Sequence, residues 1–132
     1  MPTLPYTFKV AEVIKVTDGD TAHLRVSVGF HAEIAVHIRL LGYDCPEMTR
    51  GSAFEKAEAR RAQGLSAQFL SRADGTLWVR TEPDPDSFGR WLGDVWIEDV
   101  DGGKRHLGAE LRAAKLASVW PTRWHDEFES SD

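Results

Sequence analysis

Residues 16–24 read VTDGDTAHL and residues 38–47 read IRLLGYDCPE. Both are largely apolar stretches of the kind that build sheet core, and both are interrupted by charge. In the first, Asp18 and Asp20 flank Gly19, and a glycine there permits a sharp bend or bulge. The segments on either side, 6–16 and 21–28, therefore read as two strands joined by a tight connection. In the second, Arg39 stands in an apolar strand spanning 32–43, and Asp44 and Glu47 follow it. A strand–turn–strand unit that folds back brings the Asp20 and Asp44 regions together. Two carboxylates, a backbone carbonyl and waters make a hard-oxygen site for Ca2+ or Mg2+.

Working outward from these stretches, Gly29 marks a turn between the second and third strands, and three such strands form an antiparallel meander. Pro46 lies in a loop over 44–51. Ser52 caps a helix over 52–73, with Glu55 three residues later as in a capping box. Phe54, Ala57, Leu65 and Phe69 give this helix its apolar spacing. Residues 75–82 and 90–99 are a fourth and a fifth strand, and 106–118 is a second amphipathic helix. The order β-β-β-α-β-β-α fits an α+β, mainly β, protein. A five-stranded Greek-key barrel of the oligonucleotide-binding type, with two to three flanking α-helices, has this order, although other α+β folds share it. The chain divides into a domain over 1–119 and a short acidic C-terminal tail over 120–132.

The chain has 132 residues, 42% of them apolar and 28% charged, which suits one domain with an ordinary core. A single cysteine, Cys45, excludes an internal disulfide and a multi-cysteine zinc site. The start lacks a basic region followed by an unbroken apolar run, so neither a signal peptide nor a membrane span is expected, and a cytoplasmic location follows. The net charge is −5. The last seven residues hold four acids and no base, and the remainder is nearly balanced at 16 basic and 17 acidic residues. No global basic field attracts a polyanion, so any nucleic-acid binding rests on a local site.

Taken singly, each motif has an ordinary explanation. DGD is a turn, and Arg39 is a strand-end arginine reaching water. CPE starts a loop, and a glycine–arginine pair is a turn followed by a surface cation. His23, His31, His37, His106 and His125 show no metal-ligand spacing among themselves. The joint order of the motifs points to chemistry.

That order, carried by VTDGDTAHL, IRLLGYDCPE, DSFGRWLGDVWIED and the helix LGAELRAAKLA, resembles the staphylococcal (micrococcal) nuclease family, or thermonucleases, from about Val10 to Val119. The resemblance implies an oligonucleotide-binding barrel and Ca2+-dependent cleavage of phosphodiester bonds in DNA and RNA to 3′-phosphate products. It assigns one Ca2+ to Asp20, Asp44 and the backbone carbonyl of Cys45. Arg39 and Arg90 become phosphate ligands, and Glu47 acts on the attacking water. Asp18 and Thr21 stand just behind the metal ligands. The family's tyrosine and lysine before the glycine–arginine pair are Phe88 and Ser87 here, so a hydroxyl and a cation that could touch substrate are missing. Trp120 or Trp124 is then expected to supply a stacking face, and the family's third helix is either absent or reduced to a stub around Trp124–Glu129. Scarce cytosolic Ca2+ leaves room for an enzyme latent until lysis, or one encoded by a virus or mobile element. The alternative function is a non-catalytic module on the same barrel, binding oligonucleotides or protein.

Overall fold

Strand β1 (Thr7–Asp18) is long enough to serve two neighbours. Its registry with β2 (Thr21–Gly29) shifts between Val10 and Glu12, Val13 and Lys15, and Val16 and Asp18. Repeated bulges of this kind coil a strand, which lets one ribbon turn a barrel corner. The first residues of β1 pair with β5 (Gly75–Thr81), Thr7 opposite Arg80 and Lys9 opposite Trp78. Strand β3 (Ala32–Leu40) continues the meander, and β5 pairs antiparallel with β6 (Trp91–Asp99). A parallel pairing of β3 with β6, Ile38 opposite Trp91 and Leu40 opposite Gly93, closes five strands into a barrel. The structure, a computed structural model, describes residues 5–71 and 74–129.

Two short pairings lie outside this ring. Strand β4 (Tyr43–Asp44) pairs with β8 (Ser118–Val119), and β7 (Lys104–His106) adds to β6. Helices α1 (Ala53–Leu70), α2 (Leu107–Ala113) and α3 (Trp124–Phe128) flank the barrel. No helix among the described residues is long and apolar enough to cross a membrane.

The core follows the two-residue period of a sheet with one buried face. Ala22, Leu24 and Val26 of β2 are buried, together with Ile38, Leu40, Val79, Val95 and Ile97. Burying each larger aliphatic side chain stabilises the fold by about 1.5–3 kcal/mol. Helix α1 closes one side with only part of the face expected from sequence, Phe69 buried and Leu65 packed on the core. Its buried residues are Glu55, Ala59, Ala62, Ser66, Phe69 and Leu70, whereas Phe54 and Ala57 are exposed. Small residues win because the helix must approach the Asp18–Asp20 turn closely. A Cβ on Gly19 would lie 2.6 Å from Ala62 Cβ, and Ser66 Oγ donates to Gly19 O at 2.5 Å. Gly19 is thus needed for close approach rather than for a left-handed backbone.

Two element boundaries differ from expectation. The third strand stops at Leu40 because the chain turns at Leu41–Gly42, with Gly42 at φ +86°, and Tyr43–Asp44 leave to pair with β8. The second helix covers only Leu107–Ala113. Lys115 sits at φ +62°, its N–H donates to Arg112 O at 3.0 Å, and Leu116 N–H donates to Leu111 O at 2.9 Å. These two bonds form a Schellman stop. The left-handed residue is a lysine, so no glycine marked the end in the sequence. Of the expected first helix, 71 lies beyond its end and 72–73 lie outside the described residues.

Candidate metal and phosphate site

The pairing of β2 with β3 sets Thr21 opposite Arg39, and Leu40 N–H donates to Asp20 O at 2.8 Å. Arg39 therefore emerges beside Asp20. The turn after β3 then returns Asp44 to the same place, where pairing with Ser118 of β8 fixes its backbone. The Arg39 guanidinium lies 2.8 Å from Asp20 Oδ2 and 3.3 Å from Asp44 Oδ1, and it also donates to Tyr43 O at 3.0 Å. One arginine thus bridges both carboxylates that the sequence assigns to a metal.

Both acids are buried, Asp20 at 8% and Asp44 at 7% exposure. Their remaining contacts are donors held by the backbone or a neighbour. Cys45 N–H donates to Asp20 Oδ2 at 3.0 Å and Thr21 Oγ to Asp20 Oδ1 at 3.1 Å. Trp124 N–H donates to Asp44 Oδ2 at 2.8 Å. Burial pushes the Asp20 carboxyl above the ordinary aspartate range, and Arg39 offsets only part of that rise. The Cys45 thiol is buried and pushed far up, so it stays protonated and offers no thiolate.

Asp18, half-buried beside this pair, makes no hydrogen bond or ion pair through its carboxylate among the described residues. Its carboxyl is raised first by burial and then by the fields of Asp20 and Glu47, while Arg39 and Arg90 pull it down. One residue therefore senses every charged group that the sequence placed in the site, apart from Asp44. Asp18, Asp20 and Asp44 against Arg39 leave two negative charges, the charge of one divalent cation. The side chains offered are all oxygen donors, which suits a hard cation such as Ca2+ rather than a thiolate-seeking metal.

Glu47 and Arg90 lie at the margin, each engaged with a partner the sequence did not suggest. Glu47 Oε1 accepts from Arg123 at 3.1 Å, and the Glu47 N–H donates to Glu55 Oε2 at 2.8 Å. The Arg90 guanidinium lies 3.0 Å from Asp86 through both Nε and its terminal nitrogen. The same Asp86 accepts the N–H of Phe88 and of Arg90, and Gly89 at φ +79° completes the loop. Together these contacts pull the Asp86 carboxyl below the ordinary range.

The aromatic candidates separate. Phe88 is 81% exposed and carries the Arg90 guanidinium 5.4 Å from its ring centre, while Trp120 is 54% exposed. Trp124 is not an available stacking face. It is 1% exposed, packs against Phe54 and Phe128, and donates its indole N–H to Lys115 O at 3.0 Å. It buries because α3 folds back onto α1. Through Arg123, the Trp124 backbone and His125, this part of the chain touches Glu47, Asp44 and Glu55.

Sequence reasoning missed Glu55, Asp86 and Arg123. Ser52 Oγ accepts the Glu55 N–H at 3.0 Å, as a capping box requires. The Glu55 carboxylate reaches the Glu47 N–H instead of returning to Ser52. A capping-box glutamate that is also buried was the available signal, and only its position after an apparent cap could have drawn notice.

No family model matches the chain. Among curated proteins, a 99-residue stretch is 30% identical to "Probable endonuclease lcl3" of Aspergillus clavatus, covering 70% of this chain and 33% of the fungal protein. The chain thus spans about a third of the length of the curated relative it matches.

Proposed function

We propose that this chain is a Ca2+-dependent nuclease that hydrolyses phosphodiester bonds of DNA and RNA, leaving 3′-phosphate products. The observation that carries the reading is the buried Asp20–Arg39–Asp44 cluster at one end of the barrel, with the Asp18 carboxylate beside it unpaired among the described residues. The similarity to a protein named as a probable endonuclease supports it independently.

Asp20, Asp44 and the Cys45 carbonyl would hold the ion. Ca2+ in that position would supply Lewis-acid polarisation of a phosphoryl oxygen and help to orient water. Thr21 and the Cys45 N–H keep the Asp20 carboxylate oriented, and the Trp124 N–H does the same for Asp44. Arg39 is held on a strand and presents a planar fork suited to phosphate oxygens, and Arg90 supplies a second fork. Both stabilise charge that grows on the phosphoryl group and its leaving oxygen during in-line attack. Glu47, held through its own N–H by Glu55, accepts or positions the proton of the attacking water.

A nicking assay on supercoiled plasmid tests the reading. Wild-type protein cleaves with Ca2+ and stops with excess chelator. Glu47→Gln lowers the rate by about 10²–10⁴-fold, as expected for loss of a general base, with Ca2+ affinity nearly intact. Cleavage that persists in chelator, or full activity in the glutamine variant, overturns the mechanism. Oligonucleotide binding without cleavage returns the chain to the binding modules.

A further inference from the structure

A second cluster lies where α3 meets the first turn of α1, and it does not depend on the nuclease reading. Glu55, His125 and Glu129 each offer one donor atom, and the three atoms lie within 4.8 Å of one another. His125 Nδ1 is 2.9 Å from Glu129 Oε2 and 3.5 Å from Glu55 Oε1. His125 and Glu129 are four residues apart, so the turn of α3 sets both on one side, facing Glu55.

Glu55 makes this more than a surface ion pair. The residue is only 5% exposed. Its Oε2 holds the Glu47 N–H, but its Oε1 makes no hydrogen bond among the described residues and points at His125. A carboxylate on so buried a residue is costly unless something positive meets it. Glu129 is braced from the other side, where Ser52 Oγ donates to its Oε1.

We propose that Glu55, His125 and Glu129 form a binding site for a Zn2+-class divalent ion, distinct from the Asp20–Asp44 site, that clasps α3 to α1. Ligand bonds to zinc of about 2.0–2.2 Å place tetrahedral donors about 3.3–3.6 Å apart; the two spacings from His125 are 2.9 and 3.5 Å, and all three donors lie within 4.8 Å of one another, so small side-chain shifts bring them to that geometry. The donors are one imidazole and two carboxylates, a mixed set that suits zinc, whereas the all-oxygen site favours Ca2+. Two carboxylates and a neutral imidazole carry the charge that one dication cancels. A cleft of about 470 Å³, lined by Glu47, Arg50, Ser52, Glu55, Arg123 and His125, gives the ion a way in and leaves room for water as a fourth ligand. A search for spacing among histidines alone passes over this site, because His125 is its only imidazole.

The test uses the full chain and the metal alone. Calorimetric titration with Zn2+ at neutral pH, with Ca2+ present in excess, is expected to give one site per chain and a rise in melting temperature. His125→Gln and Glu129→Gln each should weaken binding by more than the roughly 10–100-fold that loss of an outer-shell partner costs. Both should also abolish the thermal shift, whereas Asp20→Asn with Asp44→Asn should leave Zn2+ binding unchanged. Co2+ substituted for Zn2+ should give the visible absorption of a tetrahedral centre, lost in His125→Gln. The proposal fails if the glutamine variants bind Zn2+ as tightly as wild type. It fails equally if the Asp20 and Asp44 variants are the ones that lose binding. Should one glutamine variant not fold, the other and the Co2+ spectrum of the wild type decide.

Discussion

Arg39 donates to Asp20 and Asp44 at once, so it offsets one of the two negative charges that would hold a cation. Removing one partner of a buried ion pair typically costs about 3–5 kcal/mol, because the other charge stays buried and uncompensated. Arg39→Met should lower stability by that order in chelator, and Ca2+ should restore much of it by taking over the neutralisation. Urea unfolding with and without Ca2+ measures both. Arg90 differs in being held away from the pair, on Asp86. Its proposed task needs a planar fork that lysine cannot offer. Arg90→Lys should therefore cut kcat by about 10²–10³-fold, the effect of losing one preorganised donor to a developing oxyanion. Its stability should stay within about 0.5 kcal/mol, as for a surface change. The exposed Arg80, treated the same way, should leave kcat unchanged, and equal small effects at both positions would make Arg90 an ordinary surface cation.

The turn between β1 and β2 and the helix α1 are fitted to each other at the scale of whole elements. Gly19 lies against Ala62 and the Cys45 sulfur, and Ser66 and Gln63 of the same helix hold the carbonyls of Gly19 and Val16. Gly19→Ala would put a methyl 2.6 Å from Ala62 Cβ, and overpacking of this kind costs about 1–3 kcal/mol. Ala62→Gly removes that obstacle at a helix cost of about 1 kcal/mol. The double variant should therefore be more stable than the sum of the two single changes, with a coupling of about 0.5–3 kcal/mol in a denaturation cycle. Additive effects would show that the turn and helix adjust independently.

For the molecule as a whole, the shifted groups set where the metal-free protein is most stable. Asp18 and Asp20 have carboxyls raised above 3.8 by burial, so folding favours their protonated forms. Stability gains from them as pH falls through their raised values. His125 is raised above 6.5, chiefly by its bond to Glu129, with Glu55 and Asp126 adding to it. Its contribution is complete below 6.5 and disappears as pH rises through its folded value. Asp86 and Glu129 are lowered from 3.8 and 4.5, by the loop and Arg90 in one case and by Ser52 and His125 in the other. Their contributions are lost only as pH falls below those ordinary values. All five signs place the optimum in mildly acidic solution, below 6.5 and above the ordinary carboxylate range. Urea midpoints in chelator should fall from mildly acidic to alkaline pH, and Ca2+ should flatten that fall by stabilising the ionised carboxylates.

The sequence by itself determined the elements and their order. Alternation in 21–28, the breaks at Asp18–Asp20 and Gly29, and the helical spacing after Ser52 are local signals, because side-chain period and turn chemistry act over a few residues. It also named the residues that gather at the barrel's end, since Asp20, Arg39 and Asp44 stand where strands stop, and a strand's end in sequence is its end in space. The stop of α2 at Lys115 was invisible because a left-handed lysine lacks the glycine signature. Only the tertiary structure decided the partners of those residues. Trp124 is buried and its N–H holds Asp44, Arg123 meets Glu47, and Glu55 links the Glu47 loop to His125. Each of these contacts except Glu55–Glu47 joins groups 70 or more positions apart, and no periodicity reports such a separation. Which way α3 folds, and which charge meets which, follows from the packing of Trp124 against Phe54 of α1, a long-range contact that no local pattern encodes.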